Sequence, residues 1–522
     1  MTFKLTYSTM FDPPPQMHER FEAALQEVRS HLNAKHRLHI NDAEVETAAY
    51  REKRSPIDRE CVLGSFAQAT SADVDCAMKA AADAFPGWRA TPPAERIRLL
   101  RRVAQLIEER VYHIGAALAL EVGKNRMEAL GETQETADFF TVYCDDFEGQ
   151  KYFDHVLPND PLPNVISRNR SVMKPHGVWV VITPFNFPLA LAGGPVAAAL
   201  VTGNTVVLKG ASETPWAGRL LADCIRDAGL PAGVFNYLSG PGSAIGDVLV
   251  QHPSTAGVTF TGSYDVGMRI VKALGSGRYP KPCVVEMGGK NACVVTANAD
   301  LERAAAGIVR SAFGMGGQKC SALSRLYVQE PVADALIEKL QAKIAALGIG
   351  DPTRKENWLG PVVSENAQRK FGGYCEQLRA AGAKFWAGGD AMTQSAYARG
   401  YYVAPTLAEV VHEHPLWREE MFLPILLLHR ISDLQEGVRH ANDSDLGLTA
   451  GVYGSTAEVG YFLDHIEAGV TYSNRPQGAT TGAWPGYQPF GGWKGSGNTG
   501  KAIASFYYLA QYMREQSQTV VE

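Results

Sequence analysis

Cys320 stands in the stretch FGMGGQKCSALSR, with Gly314, Gly316 and Gly317 just upstream and Lys319 beside it. A thiol on a glycine-rich loop, near a cation and free backbone N–H groups, can be exposed and partly ionised, which nucleophilic catalysis needs. Read alone, the same residue is better explained as a small buried hydrophobe, and the other seven of the chain's 8 cysteines read as packing residues. Glu286 ends the apolar run CVVE and precedes Met287, Gly288 and Gly289. A carboxylate at a strand end beside a glycine pair suits a movable general base, or equally an exposed strand-end charge. The run FTGS at 260–263 closes on Gly262 and Ser263, whose N–H groups would open a helix and suit a pyrophosphate. GPGSAIG, with Gly240, Gly242 and Gly246, lacks the G-x-G-x-x-G spacing and by itself reads as a tight turn. There is no G-K-[S/T] loop, G-x-S-x-G elbow or H-E-x-x-H helix, and His412-Glu413-His414 has no clustered partners in the sequence. No metal site is therefore expected.

These groups need elements to hold them. From 178 to 285 short apolar runs (178–183, 205–208, 234–238, 257–261 and 283–286) alternate with helical stretches such as 214–228 and 244–251. That alternation predicts a parallel, doubly wound sheet. A second α/β unit follows, with a strand at 291–296, a helix from Asp300, a strand at 325–329 and a helix ending at Gly348, which leaves 314–320 as a loop. Upstream, the pattern predicts a helix over 17–34, an edge strand from 38–40 and a long amphipathic stretch over 71–122 that restarts at Pro92-Pro93. The uncharged segment 177–208 is cut by Pro184, Asn186, Pro188, Gly193, Gly194 and Pro195, so it reads as strand, loop, helix and strand rather than a membrane span.

The totals agree with a multidomain enzyme. A length of 522 residues corresponds to two to four domains at about 150 residues each. Lys plus Arg number 50 against 55 for Asp plus Glu, a net charge of −5, so no basic footprint for nucleic acid or a membrane surface is present. The cysteines form no C-x-x-C pair and the first residues lack an apolar leader, which points to a reducing, cytoplasmic setting.

Taken together the motifs resemble the aldehyde dehydrogenase superfamily over nearly the whole chain. TPFNFP (183–188), GNTVVLK (203–209), FTGS, EMGGKN (286–291), GQKCSA (317–322), EEMFLP (419–424), NDSDLGLTAGV (442–452) and PFGGWKGSG (489–497) follow in that family's order. The nearest likeness is to the subfamily that oxidises L-glutamate γ-semialdehyde, in which Ser follows the nucleophilic Cys. DFF at 138–140, and TGA at 481–483 five residues before Gln488, are also similar to it. Gly478-Ala479 competes with Gly482-Ala483 for the substrate-anchoring position.

The resemblance implies an α/β fold with a Rossmann-type cofactor domain (1–150 and 173–285), an α/β catalytic domain (286–497) and a small β flap for oligomerisation with the tail (151–172 and 498–522). It makes Cys320 the nucleophile, Glu286 the base that activates water, and the Asn186 amide with the Cys320 N–H the oxyanion donors. For NAD, Lys209 would hold the adenosine ribose, Ser263 the pyrophosphate, and Glu420 and Phe422 the nicotinamide half. Thr183, Pro184, Phe185, Gly242, Gly246, Phe260, Gly262 and Gly288 complete that wall. Ser212 stands where the family usually has a glutamate; without a carboxylate to repel a 2′-phosphate, NADP becomes usable too. Leu423 replaces a usual glycine. For the substrate, Ser321, Gly482 and Ala483 would hold a carboxylate and Glu135 an ammonium group, with Phe187 and Phe490 beside them; Glu135 could equally be a solvated helix-face acid. The partners implied are a small aldehyde and further copies of the chain, as a homodimer or higher homo-oligomer. Another semialdehyde or aliphatic aldehyde as substrate, and a non-catalytic binding role, are the alternatives.

Overall fold

The computed structural model describes residues 5, 13–479 and 484–521. Its first sheet has the parallel strands Cys283–Glu286, Thr255–Thr261, Val178–Ile182, Thr205–Lys209 and Phe235–Leu238 as spatial neighbours in that order, with Leu38–Ile40 and Ala43–Val45 added antiparallel at one edge. The runs VWVVI, TVVLK and CVVE are nearly continuous apolar stretches because helices cover both faces of a parallel sheet. Chain order reverses between Val178–Ile182 and Thr255–Thr261. Such a reversal leaves a crevice beyond the carboxyl ends of the strands, where open α/β sheets bind ligands.

The second sheet carries Thr406–Glu409, Ile425–Ile431, Leu323–Gln329, Asn291–Val295, Thr449–Tyr453 and Val470–Ser473 in parallel, closed at one edge by antiparallel Lys384–Ala387. A third sheet joins Asp154–Leu157, Ser167–Pro175 and Met513–Val521, so the end of the chain pairs with its middle from Met513 opposite Pro175 to Val521 opposite Ser167. The segment before that last strand packs inward, with Tyr508 and Tyr512 buried.

The expected elements recur with shifted ends. The first helix is Pro15–Ser30 rather than 17–34, because Asn33 takes a left-handed φ of 66° and Ala34–His36 leaves to pair with Gly64, Ser65 and Phe66. The 71–122 stretch divides into Ser71–Ala90, Pro93–Glu109 and Val111–Val122. Within 177–208 the only helix is Ala190–Val201, and no described helix is long and apolar enough to cross a membrane.

Two buried glutamates tie this scaffold together from inside. Glu121 accepts from the N–H groups of Trp216 and Ala217, at the start of Pro215–Asp227. Glu132 does the same for Leu189 and Ala190, at the start of Ala190–Val201. A carboxylate at a helix N-terminus satisfies donors that otherwise lack partners and complements the helix dipole. The second oxygen of Glu132 meets Lys124 Nζ, and both side chains are wholly buried. Because removing one member of a buried pair leaves the other charge uncompensated, Lys124→Met is expected to cost about 3–5 kcal/mol. Scanning calorimetry would show a clearly lowered unfolding midpoint; an unchanged midpoint would mean that Glu132 is held without its lysine.

Candidate active site

The loop that presents Cys320 is shaped by its glycines. After the helix Leu301–Phe313 the chain passes through Met315, Gly316 and Gly317 at φ 53°, 63° and 66°, a succession of left-handed residues that glycine adopts readily. A Cβ on Gly317 would lie 2.4 Å from the Leu423 carbonyl oxygen, so that close approach also demands glycine. Gln318 pins the loop, donating to Met315 O and accepting from Val363 N. Asn291 holds the backbone of Cys320: its Nδ2 donates to Cys320 O at 2.6 Å and Ala322 O at 2.8 Å, while its Oδ1 accepts from Thr449 N.

Lys319 does not activate the thiol as its position suggests. Its Nζ reaches Glu128 Oε1 at 2.7 Å and is buried there, tying the loop to the helix Arg126–Gly149. Cys320 is half-buried rather than exposed, and burial with the facing carboxylates of Glu420 and Glu286 pushes its thiol up to about 12, against the favourable Ser321 and Cys320 N–H groups. Burial and the two acids thus hold the Cys320 side chain toward the neutral thiol, against the partial ionisation expected from the sequence. Among the other cysteines, Cys76 is exposed on Ser71–Ala90 rather than packed.

Beyond the carboxyl ends of the first sheet lies a cleft of about 760 Å³. It is lined by Thr183, Pro184 and Phe185 after one strand, Lys209 and Ser212 after the next, and Gly242 and Gly246 after the third. Phe260 near the end of the fourth, Gly262 and Ser263 just after it and Gly288 after the fifth also line it, with Glu420 and Phe422 from the loop before Ile425–Ile431. Cys320 and Asn186 line the same cleft. All the residues expected to contact cofactor thus share one cavity with Cys320 and Asn186.

Its wall has the character of a dinucleotide site. Two helices, Gly242–Gln251 and Tyr264–Gly275, start at it, and the Ser263 side chain makes no cap bond. A Cβ on Gly262 would strike the Phe260 ring at 2.4 Å, so this turn needs glycine. Lys209 is buried, its pKa lowered by burial and raised in part by Glu213, which lines the same cleft one residue beyond Ser212. Ser212 Oγ donates to Gly240 O at 3.2 Å. Phe422 sits at φ 55° with its ring edge-on to Phe185 at 5.8 Å.

The acids are placed differently from each other. Glu420 Oε1 accepts from Gly289 N at 2.8 Å, and burial pushes its carboxyl up to about 7. Glu286 does not line the cleft: its Oε2 accepts from Gly492 N at 3.1 Å, and burial pushes its carboxyl up to about 8. It still stands close enough to raise the Cys320 thiol. Glu286 thus ends its strand held by the backbone N–H of Gly492.

The substrate side gathers in part. Phe187, Phe490 and Cys320 belong to one apolar cluster, and Ser321 is buried beside Cys320. Glu135 is no solvated helix-face acid. It is 5% exposed, and burial and Glu132 raise its pKa well above the ordinary value, while Lys124 and Lys319 lower it. Gly482 and Ala483 lie outside the described residues. The competing pair is committed elsewhere: Ala479 N donates to Ser311 Oγ at 2.6 Å, and Gly478, at φ 67°, leaves no room for a Cβ against the same hydroxyl.

Sequence reasoning missed Lys124 and Glu132, whose pairing fixes the start of Ala190–Val201 and hence the loop of Asn186 and Phe187. Lys124 Nζ also lies 3.7 Å from the Phe187 ring centroid. The sequence carries no signal for the pair: Lys124 lies in the turn between two helices, and Glu132 is one of several acids on the second. Lys290 was missed too; it is buried, and burial with Arg325 pushes its ammonium down to about 7.

Comparison with known proteins agrees with this geometry. Residues 44–518 match the model of the aldehyde dehydrogenase family. A 1-pyrroline-5-carboxylate dehydrogenase 1 of Halalkalibacterium halodurans is 37% identical over 509 residues, covering 96% of each chain. The solved structure of a Thermus 1-pyrroline-5-carboxylate dehydrogenase with bound NAD superposes with a TM-score of 0.92 at 32% identity over 100% of both chains. A 3,6-anhydro-L-galactose dehydrogenase in complex with NAP gives a TM-score of 0.86 at 30% identity, over 93% of this chain and 100% of the other. With a family match over most of its length and a cysteine, an amide and a dinucleotide-type wall in one cleft, the chain belongs to the aldehyde dehydrogenase family.

Proposed function

We propose that this protein oxidises L-glutamate γ-semialdehyde, the open form of 1-pyrroline-5-carboxylate, to L-glutamate through a thioester on Cys320. The observation that carries the chemistry is the shared cleft of Cys320, Asn186 and a dinucleotide-type wall. Full-length similarity to 1-pyrroline-5-carboxylate dehydrogenases supports the substrate. Lys209, Ser263, Glu420 and Phe422 would hold NAD, which when bound accepts the hydride. The Asn186 amide and the Cys320 N–H donate to the substrate oxygen as it gains charge; one such donor is worth roughly 10²–10³ in rate. As the Cys320 sulfur bonds to the aldehyde carbon, its proton passes to solvent. At the thioester Glu286 turns from Gly492 and takes a proton from water, whose hydroxide adds to the carbonyl carbon and expels the Cys320 thiolate, releasing the carboxylate. Ser321 and the Gly482-Ala483 amides receive the α-carboxylate, a role Ala479 cannot share because its N–H is spent on Ser311. Glu135, a buried acid near the Lys124–Phe187 pair, receives the α-ammonium group. The domain division at 150, 173, 286 and 498 belongs to this reading. So do a cytoplasmic setting and a homo-oligomer joined through the flap sheet.

Ser212 removes one carboxylate from the adenosine end, but Glu213 keeps another on the same wall. NADP is therefore accepted more weakly than NAD, and Ser212→Glu should depress NADP turnover further while sparing NAD. An equal loss with both cofactors would remove Ser212 from that choice.

The carboxyl of Glu286 must be ionised to act, and its pKa is raised, so catalysis falls below and rises through about pH 8. Glu286→Gln should lower kcat by roughly 10²–10⁴ and abolish that limb, yet still release a burst of reduced cofactor. Cys320→Ala should give neither burst nor turnover. A burst lost in the glutamine variant would place Glu286 before the thioester instead.

The substrate is tested by reduced-cofactor absorbance with 1-pyrroline-5-carboxylate, propanal and succinate semialdehyde. At least a tenfold higher kcat/KM for 1-pyrroline-5-carboxylate is expected, about 1.4 kcal/mol of transition-state discrimination. Equal efficiencies would keep the Cys320 chemistry and overturn the glutamate assignment.

A further inference from the structure

Outside the cleft, the fold gathers histidines that are far apart in the sequence. His429 lies on the strand Ile425–Ile431, and Glu436 and His440 lie one turn apart on the helix Leu434–Asn442 that follows it. One ligand atom from each comes within 4.8 Å of the other two. His440 Nε2 is 3.5 Å from Glu436 Oε1, close to the spacing of two ligands on a tetrahedral ion with bonds of about 2.0–2.2 Å. His412, from the loop before the strand, packs its ring 3.9 Å from that of His440 and 5.3 Å from that of His429. The sequence offered His412 with His414; in the fold His414 instead accepts from Leu416 N, and His412 acquires two other histidines.

Each part of the group is held as a ligand set would be. Glu436 Oε2 accepts from Ser432 N and Ser432 Oγ, which fixes the carboxylate and leaves Oε1 toward His440. Supporting bonds of this kind orient metal ligands. Tyr327 OH lies 3.3 Å from His412 Nε2, and its ring stacks on His440 at 5.7 Å. Among the described residues, neither ring nitrogen of His429 has a hydrogen-bond partner. The nearby cation Arg418 is paired with Asp443. His429, Glu436 and His440 are only partly buried, so an ion could reach them from solvent.

We propose that His429, Glu436 and His440 form a binding site for one divalent ion of the zinc class, with His412 as its neighbour and a fourth position for water. Two imidazoles and one carboxylate suit zinc, cobalt or nickel; magnesium and calcium require oxygen ligands. The ion would fasten the helix Leu434–Asn442 to the strand Ile425–Ile431. Neither the aldehyde chemistry nor the cofactor wall depends on it.

The test uses the full chain without a histidine tag, stripped with chelator and titrated with zinc by calorimetry. One ion per chain and a raised unfolding midpoint are expected. His429→Gln and His440→Gln should each weaken binding roughly a hundredfold or more, while Cys320→Ser leaves it unchanged. Zinc binding unaltered by both histidine variants, or lost with Cys320→Ser, would overturn the site. The unmutated chain gives an independent check with cobalt: visible bands without a thiolate charge-transfer band support the nitrogen and oxygen ligands, and a thiolate band contradicts them. A variant is scored only if its metal-free unfolding midpoint matches that of the parent chain.

Discussion

The close backbone approach at residues 286–291 is the constraint on which the site depends. This short stretch ends a strand of the first sheet at Glu286 and begins a strand of the second at Asn291. Between them, a Cβ on Gly288 would overlap the Glu420 carboxylate at 1.9 Å, and one on Gly289 would lie 2.4 Å from Cys320 O. Glycine here does more than permit a turn. It lets the loop of Cys320 and the loop of Glu420 and Phe422 close on one strand end, so residues more than a hundred positions apart share a cavity. Asn291 then converts proximity into register by binding the carbonyls on either side of Ser321.

The same closeness sets the electrostatics. Glu286, Glu420 and Cys320 are all acids pushed upward, chiefly by burial, and the two carboxylates raise the thiol further. With its ordinary burial cost and acidic neighbours, the site favours neutral groups at rest. A positive nicotinamide in the cleft would favour ionisation of the groups facing it, because an opposite charge nearby stabilises an anion. Lys319, the cation adjacent in sequence, is withheld from this role by Glu128. Its work is mechanical, fixing the loop to the long helix below.

Much of this was legible in the residues. The parallel sheet followed from uninterrupted apolar runs, since strands covered on both faces have no polar side to show. The motif residues of the cofactor wall sit immediately after those runs, and a doubly wound sheet brings such positions together. Lys124 and Glu132 were not legible for the opposite reason. Glu132 lies on the helix Arg126–Gly149 and Lys124 in the turn before it; charges at such places ordinarily face solvent, and only tertiary packing shows that both are buried. Glu135 was ambiguous for the same cause. The grouping of the histidines was invisible because His412, His429 and His440 come from a loop, a strand and a helix whose packing no local periodicity encodes. The exchange of Gly478-Ala479 for internal packing likewise depends on Ser311, a helix residue remote in sequence.

The third sheet shows how far the folded chain remains open to association. Its two longer strands satisfy each other over nine residues, but Asp154–Leu157 covers only part of Ser167–Pro175 and keeps one edge unpaired among the described strands. Val156 on that edge is 84% exposed, and Ile166, Val520 and Val521 are exposed nearby. Soluble proteins usually blunt such an edge with charge, proline or a covering element. Here aliphatic side chains persist on a ribbon that projects no catalytic residue. None of its residues lines the cleft, so the association proposed through the flap would leave the glycine-dependent closure at 286–291 intact.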